Sequence, residues 1–198
     1  MNDRDDLAWL DCRNEDLWIF DKLILSRELG YTCGPAGALV PKPDFYIVRP
    51  ITNVLGMGRN ARIIWIESET SDLHPGEFWC QVFEGEHISV DYLNKEQILT
   101  VKGYRSQNKD LYLWEKWEKV EKNIDFPKIL QKLVGNYPKI NCEFIGEHLI
   151  EVHLRHNPDF EHGNSVALPV WDENITPPSD EYRYIASEDF KRRGFFIK

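Results

Sequence analysis

Apolar positions come in short clusters along this chain, each closed by glycine, proline or acidic residues. Residues 21–29 read as a helix, with Leu23, Ile24 and Leu25 apolar and Gly30 as its stop; its start can reach back to about residue 15. Residues 32–43 carry three glycine or proline interruptions before Val40, which predicts a loop with at most one short strand. Tyr46, Ile47, Val48 and Arg49 form a β-rich run ended by Pro50. A glycine-containing loop, Asn53 to Gly58, follows it. Further strands are expected at 61–67, 77–83, 87–92 and 97–104. Residues 111–120 fit a strand with a turn or a short helix equally well. Residues 126–133 read as a helix entered through Asp125 and Pro127. Segments 139–145 and 147–154 pair as a hairpin across Gly146. Residues 155–179, polar and proline-bearing, read as irregular. Mixed strands and helices in this order point to an α+β fold.

The chain has 198 residues, enough for one domain or one compact unit of two lobes. Apolar residues make up 42% and charged residues 29%, which excludes a disordered chain. No stretch approaches the roughly 20 apolar residues of a membrane helix. The polar, acidic N-terminus is not a signal peptide, and residues 1–16 read as a loosely attached lead. A net charge of −9 makes the chain a poor binder of nucleic-acid backbones. The basic group Lys191, Arg192, Arg193 and Lys198 reads as a solvated tail. Cys12, Cys33, Cys80 and Cys142 form no C-x-x-C pair, so reduced thiols in a cytoplasmic protein are expected.

Three constellations could carry chemistry. Arg49-Pro50, followed by Gly56 and Gly58, joins a guanidinium to bare backbone N–H groups, which suits a phosphate; a tight glycine hairpin is the alternative. Glu151 and His153 share a strand face, and a hairpin at Gly146 lets Glu143 lie opposite them, as a hard-cation site requires. His153, His156 and His162 could together bind zinc or iron, although His153 and His156 fall on different faces of a continuous strand. Trp114 and Trp117 read as core or lobe-interface anchors rather than a stacking surface for bases.

In order, the chain gives Asp21-Lys22 on a helix, Val40-Pro41-Lys42-Pro43, Ile47-Val48-Arg49-Pro50 and Gly56-Met57-Gly58. It continues with Gln81-Val82-Phe83-Glu84-Gly85-Glu86-His87-Ile88-Ser89-Val90-Asp91, and then Glu143-Phe144 ahead of Glu151-Val152-His153-Leu154-Arg155. This series, covering about residues 17 to 156, resembles the ATP-grasp superfamily of carboxylate–amine ligases. That family has an early lysine-bearing helix, a strand ending Lys-Pro or Arg-Pro, a glycine loop, a hinge strand and a late hairpin ending Glu-x-Asn-x-Arg.

The resemblance implies two α+β lobes with a nucleotide cleft between them, an N-terminal lobe at 17–79 and a C-terminal lobe at 80–198 with an irregular tail. It implies ATP and Mg2+ as cofactors, and a small-molecule or peptide substrate with carboxylate and amine, joined through an acyl phosphate. Lys22 and Arg49 would contact phosphates under the Gly56–Gly58 loop. Cys80, Gln81 and Phe83 would line the adenine hinge, and His87 takes the position of a ribose-binding glutamate. Glu143, Glu151 and His153 would hold magnesium, His153 standing where the family has asparagine. Arg155, with Arg49, would act on the transferring phosphate. Asn141 stands where the family often has arginine. The other reading is a nucleotide- or protein-binding module that kept the fold and lost turnover.

Overall fold

The computed structural model describes residues 4–52, 58, 60–105, 110–173, 175–189 and 192–198. Two antiparallel sheets dominate it. The smaller contains β1 (Cys33–Pro35), β2 (Asp44–Pro50), β3 (Arg62–Ile66) and β4 (Glu77–Gln81), in the order β1-β4-β2-β3. The larger contains β5 (His87–Leu93), β6 (Glu96–Arg105), β7 (Trp114–Lys119), β8 (Lys139–Ile145), β9 (His148–His153), β10 (Val166–Val170), β11 (Arg183–Asp189) and β12 (Arg192–Ile197). Their order is β11-β12-β10-β7-β6-β5-β8-β9. Two seven-residue helices, α1 (Arg4–Leu10) and α2 (Lys22–Glu28), flank a 3₁₀ helix at Asn14–Phe20.

Helix α2 is the wedge between the sheets. Asp21 caps it, its Oδ1 accepting the Ile24 N–H at 2.8 Å. Leu23 packs with Phe78 and Cys80 of the small sheet, while Leu25 joins the core under β5, β8 and β9. The first turn is tied to the end of β2, because the Lys22 N–H donates to Ile51 C=O at 2.8 Å.

Strands β5 and β8 show why the site forms where it does. Ile88, Val90 and Tyr92 alternate with His87, Ser89 and Asp91. Likewise Ile140, Cys142 and Phe144 alternate with Asn141 and Glu143. The apolar set forms one core with Leu130 and Leu133. Side chains on a strand alternate between faces, so the polar set is presented together on the other. The Gly146 turn (φ 60°) then folds β9 back on β8 and places Glu151 directly opposite Glu143.

Three expectations are corrected. Residues 126–133 do not form an α-helix: a short 3₁₀ helix spans Lys128–Leu130, and turns carry Leu130 and Leu133 into the core. The C-terminal part is not an irregular tail, since β10, β11 and β12 extend the large sheet. Pro169 is tolerated in β10 because pairing with β7 covers only Val166 and Ala167, so its missing N–H interrupts no ladder there. Arg192, read as part of a solvated tail, is buried and ion-paired with Asp159. The undecided stretch 111–120 holds a strand, β7. Its Trp114 and Trp117 lie against Gly103, where a Cβ would come within 2.5 Å of an indole carbon.

Candidate functional site

The polar face of β5, β8 and β9, the end of β2, the start of α2 and the segment after β9 enclose one cavity of about 160 Å3. Lys22, Arg49, Glu143, Glu151, His153 and Arg155 all line it. Gly58 (φ 63°) lies on its wall, while Gly56 lies outside the described residues.

Lys22 is only 4% exposed, and its Nζ stands 3.4 Å from Glu151 Oε1. Burial pushes its pKa down, with the Arg49 charge adding to the shift and Glu151 opposing it. Arg49 is 7% exposed and has a different environment. Its Nη1 donates to Ile150 C=O at 3.4 Å and its Cζ lies 5.3 Å from the Phe78 ring centroid. Its Nε has no hydrogen-bond partner, and among the described residues no carboxylate comes within ion-pair distance. A buried guanidinium without a counter-anion is costly.

Arg105, which sequence reasoning did not single out, is a half-buried guanidinium on the same cavity. Its Nη1 donates to Leu111 C=O at 3.0 Å, its Nη2 to His87 Nδ1 at 3.3 Å, and its Cζ lies 4.1 Å over the Trp114 ring. Burial lowers its pKa, and the more distant charge of Glu143 opposes the shift. A guanidinium can only donate, so Nδ1 of His87 accepts and Nε2 carries the proton. That proton goes to Glu143 Oε2 at 3.0 Å. Both ring nitrogens of His87 are therefore engaged inside the cavity, and its ring packs edge-on against Trp114 and Trp117.

Asp5 is another residue that sequence reasoning missed. It reaches in from α1, accepts from Arg155 Nη2 at 2.6 Å and bonds His153 Nδ1 at 3.0 Å. Burial pushes its carboxyl pKa up, but the charges and hydrogen bonds of His153 and Arg155 hold it well below the usual range. For His153, burial opposes protonation, and the charges of Asp5 and Glu151 outweigh it and raise the pKa above its ordinary value. Burial likewise works against the Glu143 carboxylate; the His87 hydrogen bond and nearby positive charge still hold it at about 2.

Among the described residues, no three His, Cys, Asp or Glu side chains are grouped so that they could hold a metal ion. The donor types of Glu143, Glu151 and His153 nevertheless fit a divalent cation. His153 Nε2 stands 3.6 Å from Glu151 Oε1 and 3.9 Å from Glu143 Oε1, beyond hydrogen-bond length. Asp5 behind Nδ1 is the kind of carboxylate that orients a ligating imidazole. The imidazole shifts preference from magnesium toward manganese. His156 bonds Tyr92 C=O at 3.1 Å and His162 is exposed, so the three-histidine reading is not supported.

Cys80, Gln81 and Phe83, expected at the adenine hinge, do not line this cavity. Cys80 is fully buried, and burial pushes its thiol to about 11. Gln81 is tied to Thr32, its N–H donating to Thr32 C=O and its Oε1 accepting the Thr32 N–H at 2.8 Å. Phe83 stacks on His148 at 4.2 Å, with Tyr31 edge-on at 4.6 Å.

No protein-family model and no curated protein matches the chain. Solved structures do. A crystal structure from Archaeoglobus fulgidus assigned to the ATP-grasp superfamily is 13% identical, with a TM-score of 0.51 over 91% of this chain and 64% of that one. An L-amino acid ligase from Bacillus licheniformis is 8% identical, with a TM-score of 0.46 over 71% of this chain and 41% of that one. A D-alanine–D-alanine ligase from Bacillus anthracis complexed with ATP is 13% identical, with a TM-score of 0.36 over 70% of this chain and 55% of that one. The first of these likenesses assigns the fold: the chain has the α+β fold of the ATP-grasp superfamily. It spans less than two thirds of the length of each of these proteins. No helix among the described residues is long and apolar enough to cross a membrane.

Proposed function

We propose that the cavity binds the phosphates of ATP and that the protein is an ATP-dependent carboxylate–amine ligase acting through an acyl phosphate. The observation that carries this reading is Arg49, a buried guanidinium facing the cavity with no carboxylate among the described residues to neutralise it. A polyanion supplies what the protein withholds. Lys22 and Arg49 bind the phosphates, with Gly58 on the wall of the same cavity. Cys80, Gln81 and Phe83 lie outside the cavity, so a base held at this hinge would extend beyond the phosphate site. His87 holds Glu143 in place through its Nε2 proton. Glu143, Glu151 and His153 hold the divalent ion, which when bound offsets phosphate charge. In the reaction, a substrate carboxylate oxygen attacks the terminal phosphorus and ADP leaves; an amine then displaces phosphate from the acyl carbon. Arg155 and Arg49 stabilise charge on the transferring group, since positioning and fixed cations supply most of such catalysis.

A second reading is a nucleotide-binding module without turnover. It is favoured by the internal pairing of Lys22 with Glu151 and of Asp5 with Arg155 and His153. Calorimetric titration with the non-hydrolysable analogue AMP-PNP, with and without Mg2+, tests what both readings share. Saturable binding supports them, and no heat at millimolar analogue removes both. ADP release dependent on added carboxylates and amines then favours the ligase, and its absence across a broad panel favours the module.

A further inference from the structure

Asp159 brings a carboxylate to the lining of the same cavity. Asp159 lies there on the 3₁₀ helix Pro158–Phe160 and is 9% exposed. Its Oδ2 accepts from Arg192 Nη1, while its Oδ1 has no hydrogen-bond partner among the described residues. We propose that this oxygen receives the amine of the second substrate, an inference that rests on the ligase reading.

The carboxylate is held firmly from several directions. The Asn157 N–H donates to both Asp91 oxygens, at 2.9 and 3.1 Å, and Asn141 Nδ2 donates to the same Asp91 at 2.8 Å. Asn157 Oδ1 in turn accepts the Asp159 N–H at 3.0 Å, and Asn164 Nδ2 donates to Asp159 C=O at 3.0 Å. Arg192 fixes the side chain from the last strand. So much support around an oxygen with nothing to accept is the arrangement of a preformed binding atom, because a buried acceptor left without a donor destabilises the fold.

The identity of the missing donor follows from the walls. A carboxylate oxygen only accepts, so the incoming group must carry N–H or O–H. An amine is protonated at neutral pH, and a charge-assisted hydrogen bond to the carboxylate is stronger than one from a neutral hydroxyl. Leu111, Trp114 and Trp117 line the same space and offer apolar surface to the body of the molecule. Arg105, over Trp114, faces any anionic group the molecule carries. The class defined is a primary amine on a short apolar or carboxylate-bearing skeleton.

Ethylamine and ethanol, of nearly equal shape, separate the possibilities. Each is titrated at neutral pH into 15N-labelled full-length protein loaded with AMP-PNP. The amides of Asn157, Asp159 and Phe160 and the Trp114 indole are followed, and melting temperature serves as the folding control. Expected is saturable ethylamine binding at least about tenfold tighter than ethanol, because a buried charged acceptor rewards a cationic donor. In Asp159→Asn this preference should be lost. Equal binding of the two probes, or ethylamine binding unchanged in Asp159→Asn, overturns the proposal. If that variant does not fold, the wild-type comparison decides alone. If AMP-PNP itself does not bind, the nucleotide reading fails separately, and the same titration of the unloaded chain still decides the role of Asp159.

Discussion

Two arginines of the small sheet lie on adjacent strands and are treated oppositely. Arg62 on β3 finds Glu77 on the far side of β2 and makes a bidentate pair with it, at 2.6 and 2.9 Å. Arg49 on β2 faces the cavity and, among the described residues, has the Ile150 carbonyl and the Phe78 ring but no carboxylate. The first region is built to be complete, and the second is built with a charge left over. Stability alone does not select for a buried guanidinium lacking a carboxylate. The difference teaches where to look for a ligand: at incomplete pairing in a well-supported cavity rather than at the number of charges.

Within the cavity, Arg155 is the intermediate case, because Asp5 from α1 already pairs with it. Asp5→Ala should turn that half of the site into a copy of the Arg49 half. Breaking a buried ion pair from one side costs about 4 kcal/mol, so this is the largest expected effect on stability. Urea unfolding followed by circular dichroism measures it. A loss below 1 kcal/mol would mean that α1 is not docked as described, and would weaken the contrast between paired and unpaired arginines.

Arg49→Met breaks the comparison from the other side. An apolar side chain of similar length relieves the desolvated charge, so stability should hold or rise. Affinity for AMP-PNP should fall by about thirtyfold, the equivalent of roughly 2 kcal/mol for a charged hydrogen-bonding group. Calorimetry and thermal melting on the same sample give both numbers. If stability drops along with affinity, Arg49 is a structural residue and its unpaired state has no functional meaning.

How much of this was legible beforehand differs between the two regions as well. Strands β2 to β6, β8 and β9, the α2 helix and the Gly146 turn follow from local patterns of apolar residues and breakers, whereas β10, β11 and β12 do not. The cavity residues Arg49, Glu143, Glu151, His153 and Arg155 emerged from motifs near strand ends. Asp5 did not, because an acidic residue near the terminus looks solvated until a partner 148 residues away is known. Asp159 and Arg192 were hidden for the same reason, their pairing spanning 33 residues across strands that the proline-bearing sequence disguises. One signal was present and unused. In His87–Leu93 and Lys139–Ile145, polar residues alternate with strongly apolar ones in strands central to the chain. Alternation there marks a buried polar face, not a solvated one, once both sides of the sheet are covered.

The smallest expected effect returns to the complete pair. Glu77 is 5% exposed and accepts from Arg62 and from the His74 N–H at 3.0 Å. Its pKa is lowered from 4.5, chiefly by the Arg62 hydrogen bonds, with burial opposing. The folded state therefore binds this proton less tightly than the unfolded chain. The stabilisation is complete above the ordinary carboxylate range and is lost as pH falls through the lowered value. Glu77→Gln should cost about 1 kcal/mol at neutral pH, because Arg62 is partly exposed and the pair is screened. The difference in unfolding free energy between wild type and variant should shrink below the unfolded-state value of 4.5. Arg49→Met, having no carboxylate partner to lose, should show no such acid-dependent difference. If the two variants lose stability in parallel as the pH falls, Arg49 has an anionic partner in solution, and the asymmetry between the two arginines disappears.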